Sequence, residues 1–181
     1  EFLHHYQQEH GVKRRDRIFA YLPRHAPVLS KLSPLLHLRD KVPGFAEMSD
    51  KFLGICAERK LPKWSAQPFQ DEEASSKSQD KTVVLFTDTF GTWFEPQGLR
   101  DAVEVLQSSG YEVKALGASS TSTRLCCGRT FLSFGLLKEA RQEALKVIGR
   151  LHQFVEAGIP VLGLEPSCIF TIRDDYPALV P

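Results

Sequence analysis

The pattern after residue 81, in which short apolar runs alternate with helical segments, constrains the fold more than any other feature of the chain. Residues 82–86 are apolar and rich in β-branched and aromatic side chains, which suits a strand buried on both faces. Residues 98–109 then carry leucine and valine at helical spacing, stop at Gly110, and lead into a second apolar run at 111–116. This order predicts a β-α-β unit with two parallel strands.

The same alternation continues towards the end of the chain. A long amphipathic helix is predicted over 135–157, with its stop at Gly158, and a third strand is predicted over 161–164. The fold class is therefore predicted as α/β, with a small open, mostly parallel sheet, flanking helices and a helical segment in front. The predicted buried side of the long helix comprises Leu136, Ala140, Ala144, Val147, Ile148, Leu151 and Val155.

The first part of the chain differs in character, because prolines cut its helical pattern into short pieces. The predicted organisation is a helical connecting segment over 1–70, a polar linker over 71–80 and the α/β domain over 81–181. One helix of the connecting segment is predicted to run from about Gly44 through Cys56. Cys56 then falls on an apolar stripe, which favours a core position over a ligand role.

Composition argues against several classes of function. The 181 residues carry a net charge of +1, which gives no electrostatic reason to expect nucleic acid or an anionic membrane surface as a partner. No apolar stretch of the sequence approaches the ~20 residues of a membrane span. Four cysteines without a secretory signal predict a reducing, cytoplasmic setting and not a secreted disulfide scaffold.

Three of the four cysteines stand where an open parallel sheet presents its functional groups. Cys126 and Cys127 are adjacent and precede Gly128, and Cys168 follows the third strand. A disulfide between neighbours strains the peptide, but a sharp turn at glycine lets both thiols face one metal. The pattern predicts iron or sulfur chemistry, and the alternative is that these cysteines serve only as small buried apolar side chains.

Right-handed crossovers bring the loops after successive strands to one edge of the sheet. We therefore expect Thr89, in a loop predicted over 88–91, to lie near the loop of Cys126 and Cys127 and near Cys168. Thiol–disulfide exchange of Cys168 with Cys126 or Cys127 is a further alternative, although the chain lacks the Cys-x-x-Cys spacing of thioredoxin-like sites.

On these residues the chain resembles the cysteine-rich CCG domain. That domain occurs in heterodisulfide reductase subunits, in iron-sulfur subunits of anaerobic glycerol-3-phosphate and glycolate or lactate oxidising enzymes, and in large FAD-linked oxidases. The resemblance covers residues 81–181, is closest to the fused FAD and iron-sulfur D-2-hydroxyacid dehydrogenases, and rests on the segments 86–90, 125–129, 134–135 and 163–168. Residues 1–6 and 15–20 look like the segment that joins a ferredoxin-like domain to the CCG region in those enzymes.

The resemblance implies an iron-sulfur electron-transfer module of an FAD-linked oxidoreductase that oxidises a 2-hydroxy acid such as D-lactate or D-2-hydroxyglutarate. The FAD and ferredoxin-like domains would precede this chain in the parent enzyme, and a second CCG repeat would follow it. The chain by itself is then a fragment without catalytic residues, and its partners are those other domains.

The implied cofactor is a 4Fe-4S cluster bound by Cys126, Cys127 and Cys168. Thr89 and Glu165 stand where the family has further cysteines, so both are assigned to the cofactor-binding set. A cubane cluster ordinarily uses four thiolates, and this CCG-type repeat offers three of them. Three alternatives are open for the fourth position. It is filled by Glu165, it is filled by a thiolate of the second repeat, or there is no cluster and the cysteines only help packing.

Two residues beside the cysteines are also implied to bind the cofactor. The backbone of Gly128 and the side chain of Arg129 are expected to hydrogen-bond the cluster or to offset its charge. Arg129 serves equally well as a structural ion-pair partner. Two non-redox alternatives are a zinc site, with Glu165, Asp88 or His152 as its fourth ligand, and a metal-free docking domain.

Overall fold

The computed structural model of the chain describes residues 2–74, 81–118 and 124–180. Its helices are α1 (Phe2–His10), α2 (Arg14–Ala20), α3 (Leu22–Lys31), α4 (Ser33–Leu36), α5 (Phe45–Leu53), α6 (Thr89–Trp93), α7 (Pro96–Ser108), α8 (Arg129–Ser133), α9 (Leu137–Glu156), α10 (Pro166–Phe170) and α11 (Tyr176–Leu179). Its strands are β1 (Lys81–Thr87), β2 (Tyr111–Gly117) and β3 (Val161–Gly163). Turns of 3-10 helix occupy His37–Asp40 and Asp71–Ala74, and a π-helical turn occupies Thr171–Asp175. None of the helices in these ranges is both long and apolar enough to cross a membrane.

The strands form a parallel sheet in the order β2-β1-β3, which confirms the predicted α/β fold. The central strand β1 pairs with β2 along its whole length, from Lys81 to Thr87. On its other side β1 pairs with the shorter β3, where Val84 lies opposite Val161. Because all the pairings are parallel, the carboxyl ends of the strands lie at one edge of the sheet.

Side chains of β1 alternate between two apolar clusters, one on each face of the sheet. Val83 and Leu85 pack in the cluster that includes side chains of α7, and Val84 and Phe86 pack in the cluster that includes side chains of α9 and Cys127. All four β1 side chains are at most 1% exposed. The strand is therefore buried on both faces, as its continuous apolar run predicts.

The long predicted helix is divided in two. Helix α8 ends at Ser133, Gly135 adopts a positive φ of 69°, and α9 begins at Leu137. A side chain at Gly135 would meet the backbone of Leu3 at 2.8 Å, because α1 passes directly over this position. The break therefore reflects both the left-handed backbone that glycine permits and a close approach of another helix.

The buried side predicted for the long helix is correct only in part. Ala140, Ala144, Val147 and Leu151 are buried and Leu136 is half-buried. Two later positions depart from the prediction, since Ile148 is 38% exposed and Val155 is 60% exposed. The reason is that β3 is an edge strand, and no further strand of the described residues covers this side of the helix.

Residues 88–91, predicted as a loop, instead begin the short helix α6. Asp88 is its N-cap, and Oδ1 of Asp88 accepts hydrogen bonds from the backbone N–H groups of Phe90 (2.8 Å) and Gly91 (2.9 Å). An aspartate at this position satisfies N–H groups that a helix start leaves free. A helix of five residues is too short to show an apolar period, so the sequence pattern did not reveal it.

The first residues of the predicted linker pack against the sheet. Asp71, which opens a 3-10 turn, accepts hydrogen bonds from Oγ1 of Thr87 (2.9 Å) and from the backbone N–H of Gly117 (3.2 Å). Ala74 at the end of this turn is fully buried, together with Phe69 just before it. Their burial explains why residues 71–74 are ordered in spite of a polar sequence, and residues 75–80 of the predicted linker lie outside the described residues.

Cys56, predicted to lie in the core, is exposed. Helix α5 ends at Leu53 with Gly54 in a left-handed conformation (φ 73°), so Cys56 lies beyond the helix and not on its apolar side. Glycine at this position is a common helix stop, and the prediction extended the helix past it. The backbone carbonyls of Ile55 and Cys56 accept hydrogen bonds from the buried guanidinium of Arg39 (3.3 and 2.7 Å).

The N-terminal helices pack onto α8 and α9. Nδ1 of His4 in α1 lies 2.9 Å from the backbone carbonyl oxygen of Gly135, and the hydroxyl of Tyr21 donates to Glu139 in α9 at 2.9 Å. The ring of Tyr21 also meets Phe131 of α8 edge-on, with 5.1 Å between the ring centres. The connecting segment is thus fastened to the α/β part by polar and aromatic contacts, while the proposed division of the chain at residues 70 and 80 stays a prediction.

Candidate functional site

The carboxyl edge of the sheet opens into a cavity of about 430 Å³. Each strand contributes a segment to its lining: Thr89 follows β1, Cys126 and Cys127 follow β2, and Cys168 follows β3. The structure therefore brings together the four residues that the sequence pattern predicted to lie close to one another. Residues 119–123, at the start of the second of these segments, lie outside the described residues.

The thiols of the cavity occupy different depths. Sγ of Cys127 donates a hydrogen bond to Sγ of Cys168 over 2.9 Å, and these residues are only 3% and 6% exposed. Cys126 is half-buried, and its sulfur accepts a long hydrogen bond from the backbone N–H of Gly128 (3.4 Å). All three are free cysteines.

The loop that carries the adjacent cysteines is held on two sides. Gly128 adopts a φ of 82°, and a side chain there would approach the backbone carbonyl oxygen of Ala140 in α9 to 3.2 Å. The hydroxyl of Tyr176, which is 4% exposed, donates to the backbone carbonyl of Cys127 at 3.0 Å. The glycine requirement was expected from the sequence, whereas no sequence signal connects Tyr176 with a residue 49 positions earlier.

Burial and mutual contact keep the thiols of Cys126 and Cys127 protonated. The hydrogen bond with Cys127 and the loss of solvent raise the pKa of Cys126 well above its ordinary value. For Cys127 the hydrogen bond with Cys126 lowers the pKa, but the hydrogen bond with Cys168 and burial outweigh it, so the pKa is also raised. Metal binding at neutral pH would therefore have to displace protons from these sulfurs.

The implied cofactor-binding residues differ in where their side chains lie. Thr89 is 5% exposed and lines the cavity. Arg129 also lines it, and Nη1 of Arg129 lies 3.3 Å from Oδ2 of Asp175 in an exposed ion pair. Glu165 is not part of the lining, because its side chain caps α10 by accepting a hydrogen bond from the backbone N–H of Ser167 at 3.1 Å.

The other two side chains considered as a fourth zinc ligand are also engaged elsewhere. Asp88 borders the cavity, but its carboxylate caps α6, and burial raises its pKa despite the backbone hydrogen bonds of Gly91 and Phe90. His152 lies on α9 outside the cavity lining, and Nε2 of His152 is 3.2 Å from Glu156 at the protein surface. The structure does not bring His152 to the cysteines.

The spacing of the sulfurs is tighter than a bound metal permits. Two thiolates on one tetrahedral zinc ion, with Zn–S bonds of ~2.3 Å, lie about 3.8 Å apart. The sulfurs of Cys127 and Cys168 are 2.9 Å apart, so they would have to separate to bind one ion. Consistent with this, no three His, Cys, Asp or Glu side chains of residues 2–74, 81–118 and 124–180 are arranged to hold a metal ion.

The N-terminal segment forms the outer wall of the cavity. Phe19, Leu22 and Pro23, from α2 and α3, line it together with the cysteines. Arg24 anchors this wall, because it donates from Nε (3.0 Å) and Nη2 (2.8 Å) to Oε1 of Glu143, a residue of α9 that is 3% exposed. This pair was not predicted from the sequence, although Glu143 follows Ala140 by three positions and therefore lies on the buried side of α9.

The chain has relatives of low sequence identity among known proteins. The chain is 26% identical over 171 residues to one subunit of the anaerobic glycerol-3-phosphate dehydrogenase of Escherichia coli strain K12, an alignment that covers 92% of the chain and 42% of that protein. It is 21% identical over 190 residues to the D-2-hydroxyglutarate dehydrogenase of the same strain and 23% identical over 191 residues to that of Haemophilus influenzae.

These alignments also show how much of each relative the chain represents. The chain spans 42% of the length of the glycerol-3-phosphate dehydrogenase subunit and 18% of the length of both D-2-hydroxyglutarate dehydrogenases. No protein-family model matches the chain. No solved structure matches it either. The chain is thus homologous to part of larger proteins, all of which are named as dehydrogenases or as a dehydrogenase subunit.

Proposed function

We propose that the cavity holds an iron-sulfur cluster on the thiolates of Cys126, Cys127 and Cys168, and that the chain is the electron-transfer part of a larger oxidoreductase. The observation that carries this proposal is the meeting of all three cysteines, from loops about forty residues apart, on one cavity at the edge of a parallel sheet. The similarity to dehydrogenases over nearly the whole chain supports the oxidoreductase role.

The donor set fits such a cluster in its chemistry. Thiolates are the usual protein ligands of iron-sulfur clusters, which supply one-electron transfer when bound. Cys127 and Cys168 move apart to bind, and the apolar cluster around them excludes water from the sulfurs. The N–H of Gly128, which donates to the sulfur of Cys126, is placed to tune the reduction potential.

Among the residues that line the cavity, none offers a fourth thiolate. Thr89 occupies the corresponding part of the cavity, and Glu165 is committed to the N-terminus of α10. A ligand from another part of the parent protein therefore fits better than Glu165, because the capping carboxylate would have to leave its hydrogen bond with Ser167. A second repeat of the same domain, downstream in the parent chain, is our candidate for that ligand.

The substrate is oxidised elsewhere in the parent protein. We propose an FAD domain and a ferredoxin-like domain upstream, with a 2-hydroxy acid such as D-lactate or D-2-hydroxyglutarate as the electron donor. The relatives are named for glycerol 3-phosphate and for D-2-hydroxyglutarate, both of which carry a secondary hydroxyl group and a negative charge. The proposed substrate is therefore a small anion that carries a secondary hydroxyl group.

The proposal is tested by measuring iron, acid-labile sulfide and zinc per chain after anaerobic reconstitution. Wild-type chain and Cys56→Ser, whose exposed cysteine lies outside the cavity, are expected to take up iron and sulfide in the same ratio. Cys127→Ser is expected to lose both. Uptake of zinc alone would support a non-redox metal site, and absence of any metal in the folded wild-type chain would contradict cluster binding by this chain.

A further inference from the structure

The thiols of Cys127 and Cys168 are in direct contact. Their sulfurs are 2.9 Å apart, and both side chains belong to the apolar cluster that α9 forms with the sheet. We propose that Cys127 and Cys168 form a reversible disulfide, and that this bond closes the cavity to metal when the chain is oxidised. The second half of the proposal rests on the proposed function, whereas the disulfide itself does not.

The geometry selects this pair among the cysteines of the cavity. Cys126 and Cys127 are adjacent, and a bond between neighbours would strain the peptide that joins them. The sulfur of Cys126 is engaged by the backbone N–H of Gly128, and Cys126 is half-buried, not enclosed. Cys127 and Cys168 need only approach by about 0.9 Å to reach the ~2.05 Å of a disulfide bond.

The surrounding contacts hold both partners in place for the reaction. Tyr176 fixes the backbone of Cys127 through the hydrogen bond to its carbonyl group (3.0 Å). Cys168 lies in α10, and its backbone N–H donates to the carbonyl of Glu165 at 3.1 Å. The two cysteines are therefore anchored by separate elements, and their sulfurs already lie within 2.9 Å of each other.

The oxidant in this proposal is a small peroxide. One thiol loses its proton and its sulfur attacks the peroxide, so that an S–O bond forms, the O–O bond breaks, and the leaving hydroxide takes the proton and departs as water. The second thiol then loses its proton and its sulfur displaces the hydroxyl of this sulfenic acid, so that the S–S bond forms, the S–O bond breaks, and the hydroxide takes that proton and departs as a second water. The two thiols lose two electrons and the peroxide gains them. Burial makes the reaction slow, so its extent is the quantity to measure.

The bond is tested on the metal-free, fully reduced chain. The chain is treated with hydrogen peroxide, remaining thiols are alkylated, and peptides are mapped by mass spectrometry. Wild-type chain and the matched variants Cys56→Ser and Cys126→Ser are expected to lose two hydrogens and to show a peptide with Cys127 linked to Cys168, which dithiothreitol separates. Cys127→Ser is expected to form no such link. A link from Cys126 to Cys168, or full alkylation of both buried thiols in a chain of unchanged circular dichroism, would overturn the proposal.

The closing role is tested by iron uptake before and after oxidation. The oxidised chain is expected to take up at least about tenfold less iron than the reduced chain, because two of the three thiolates are consumed, and dithiothreitol is expected to restore uptake. Equal uptake by a chain whose disulfide has been mapped would overturn the closing role. If the reduced chain binds no metal while the disulfide still forms, the proposed cluster function fails and the disulfide stands.

Discussion

Replacing Arg24 with alanine is expected to destabilise the chain by about 3 kcal/mol, since a hydrogen bond to a charged group contributes ~1.5–3 kcal/mol and a cation–π contact ~0.5–1 kcal/mol. Arg24 makes two hydrogen bonds to Glu143, at 3.0 and 2.8 Å, and its guanidinium lies 4.8 Å from the ring centre of Phe131. Glu143 is only 3% exposed, so its charge stays buried when Arg24 is lost.

Two features keep the expected loss below the ~3.5–7 kcal/mol that two independent hydrogen bonds of this kind and one cation–π contact would contribute. Both hydrogen bonds end on the same carboxylate oxygen, and Lys146 still reaches Glu143 at 3.1 Å in the variant. The side chain of Arg24 is 34% exposed, so part of its charge remains solvated in the folded chain. We therefore expect the free energy of unfolding to decrease by about 2–4 kcal/mol. This is less than the loss expected if both hydrogen bonds and the cation–π contact contributed in full.

Urea unfolding followed by circular dichroism measures this loss, with Arg173→Ala as the matched control. Arg173 also has a carboxylate partner, Asp174 at 2.7 Å, and a ring, Phe170 at 4.8 Å, but its side chain and that of Asp174 are 67% and 53% exposed. The control is expected to show no measurable change, because exposed ion pairs contribute little.

A double-mutant cycle separates the pair from a general effect of the substitution. In the background of Glu143→Gln, the cost of Arg24→Ala is expected to fall by at least about 1 kcal/mol, since the charge partner is already absent. Additive costs, or an Arg24 variant as stable as the Arg173 variant, would refute the conclusion that Arg24 and Glu143 anchor the wall of the cavity.

Four further substitutions test the packing and the electrostatics of the fold. In thermal unfolding, Gly117→Ala is expected to be strongly destabilising because its methyl group would overlap the backbone carbonyl of Thr87, whereas Gly149→Ala, with open space around it, should gain up to ~1 kcal/mol of helix stability. Tyr176→Phe removes the hydrogen bond to the carbonyl of Cys127 and is expected to lower the free energy of unfolding in urea by ~1 kcal/mol, and an unchanged midpoint would argue against that bond. Because burial raises the pKa of Asp88, its contribution to stability is fully present below its unfolded pKa of ~3.9 and is lost as pH rises through the folded value. Asp88→Asn, which keeps an N-cap, should lose less stability than the wild-type chain between acidic and neutral pH, and parallel pH profiles would contradict this assignment.

The sheet and its order of elements were predictable from local pattern. The apolar run at 82–86 identified β1, and the helical period that ends at Gly110 identified α7 and the parallel crossover to β2. Each of these signals lies within a few consecutive residues, and burial on both faces selects the same residue types wherever such a strand occurs. The grouping of the cavity cysteines followed from the parallel topology alone.

Short elements and their caps were not predictable in the same way. Helices α6 and α10 are five residues each, and the carboxylates of Asp88 and Glu165 satisfy their first N–H groups. Such helices have too few turns for an apolar period to be recognised in the sequence. A capping residue can therefore be interpreted equally well as a loop residue or as a potential ligand. For Glu165 this distinction changed the site, because the structure uses its carboxylate as a cap.

The amino-acid sequence by itself determined the α/β class, the parallel β-α-β order and the edge of the sheet at which Cys126, Cys127 and Cys168 meet. Only the tertiary structure decided that Cys127 and Cys168 are in contact, that Cys56 is exposed, and that the N-terminal helices wall the cavity. The physical reason is that periodicity and turn chemistry act between near neighbours in the chain, whereas these contacts join residues tens of positions apart. Such contacts depend on how the elements pack, and that packing is a property of the whole fold.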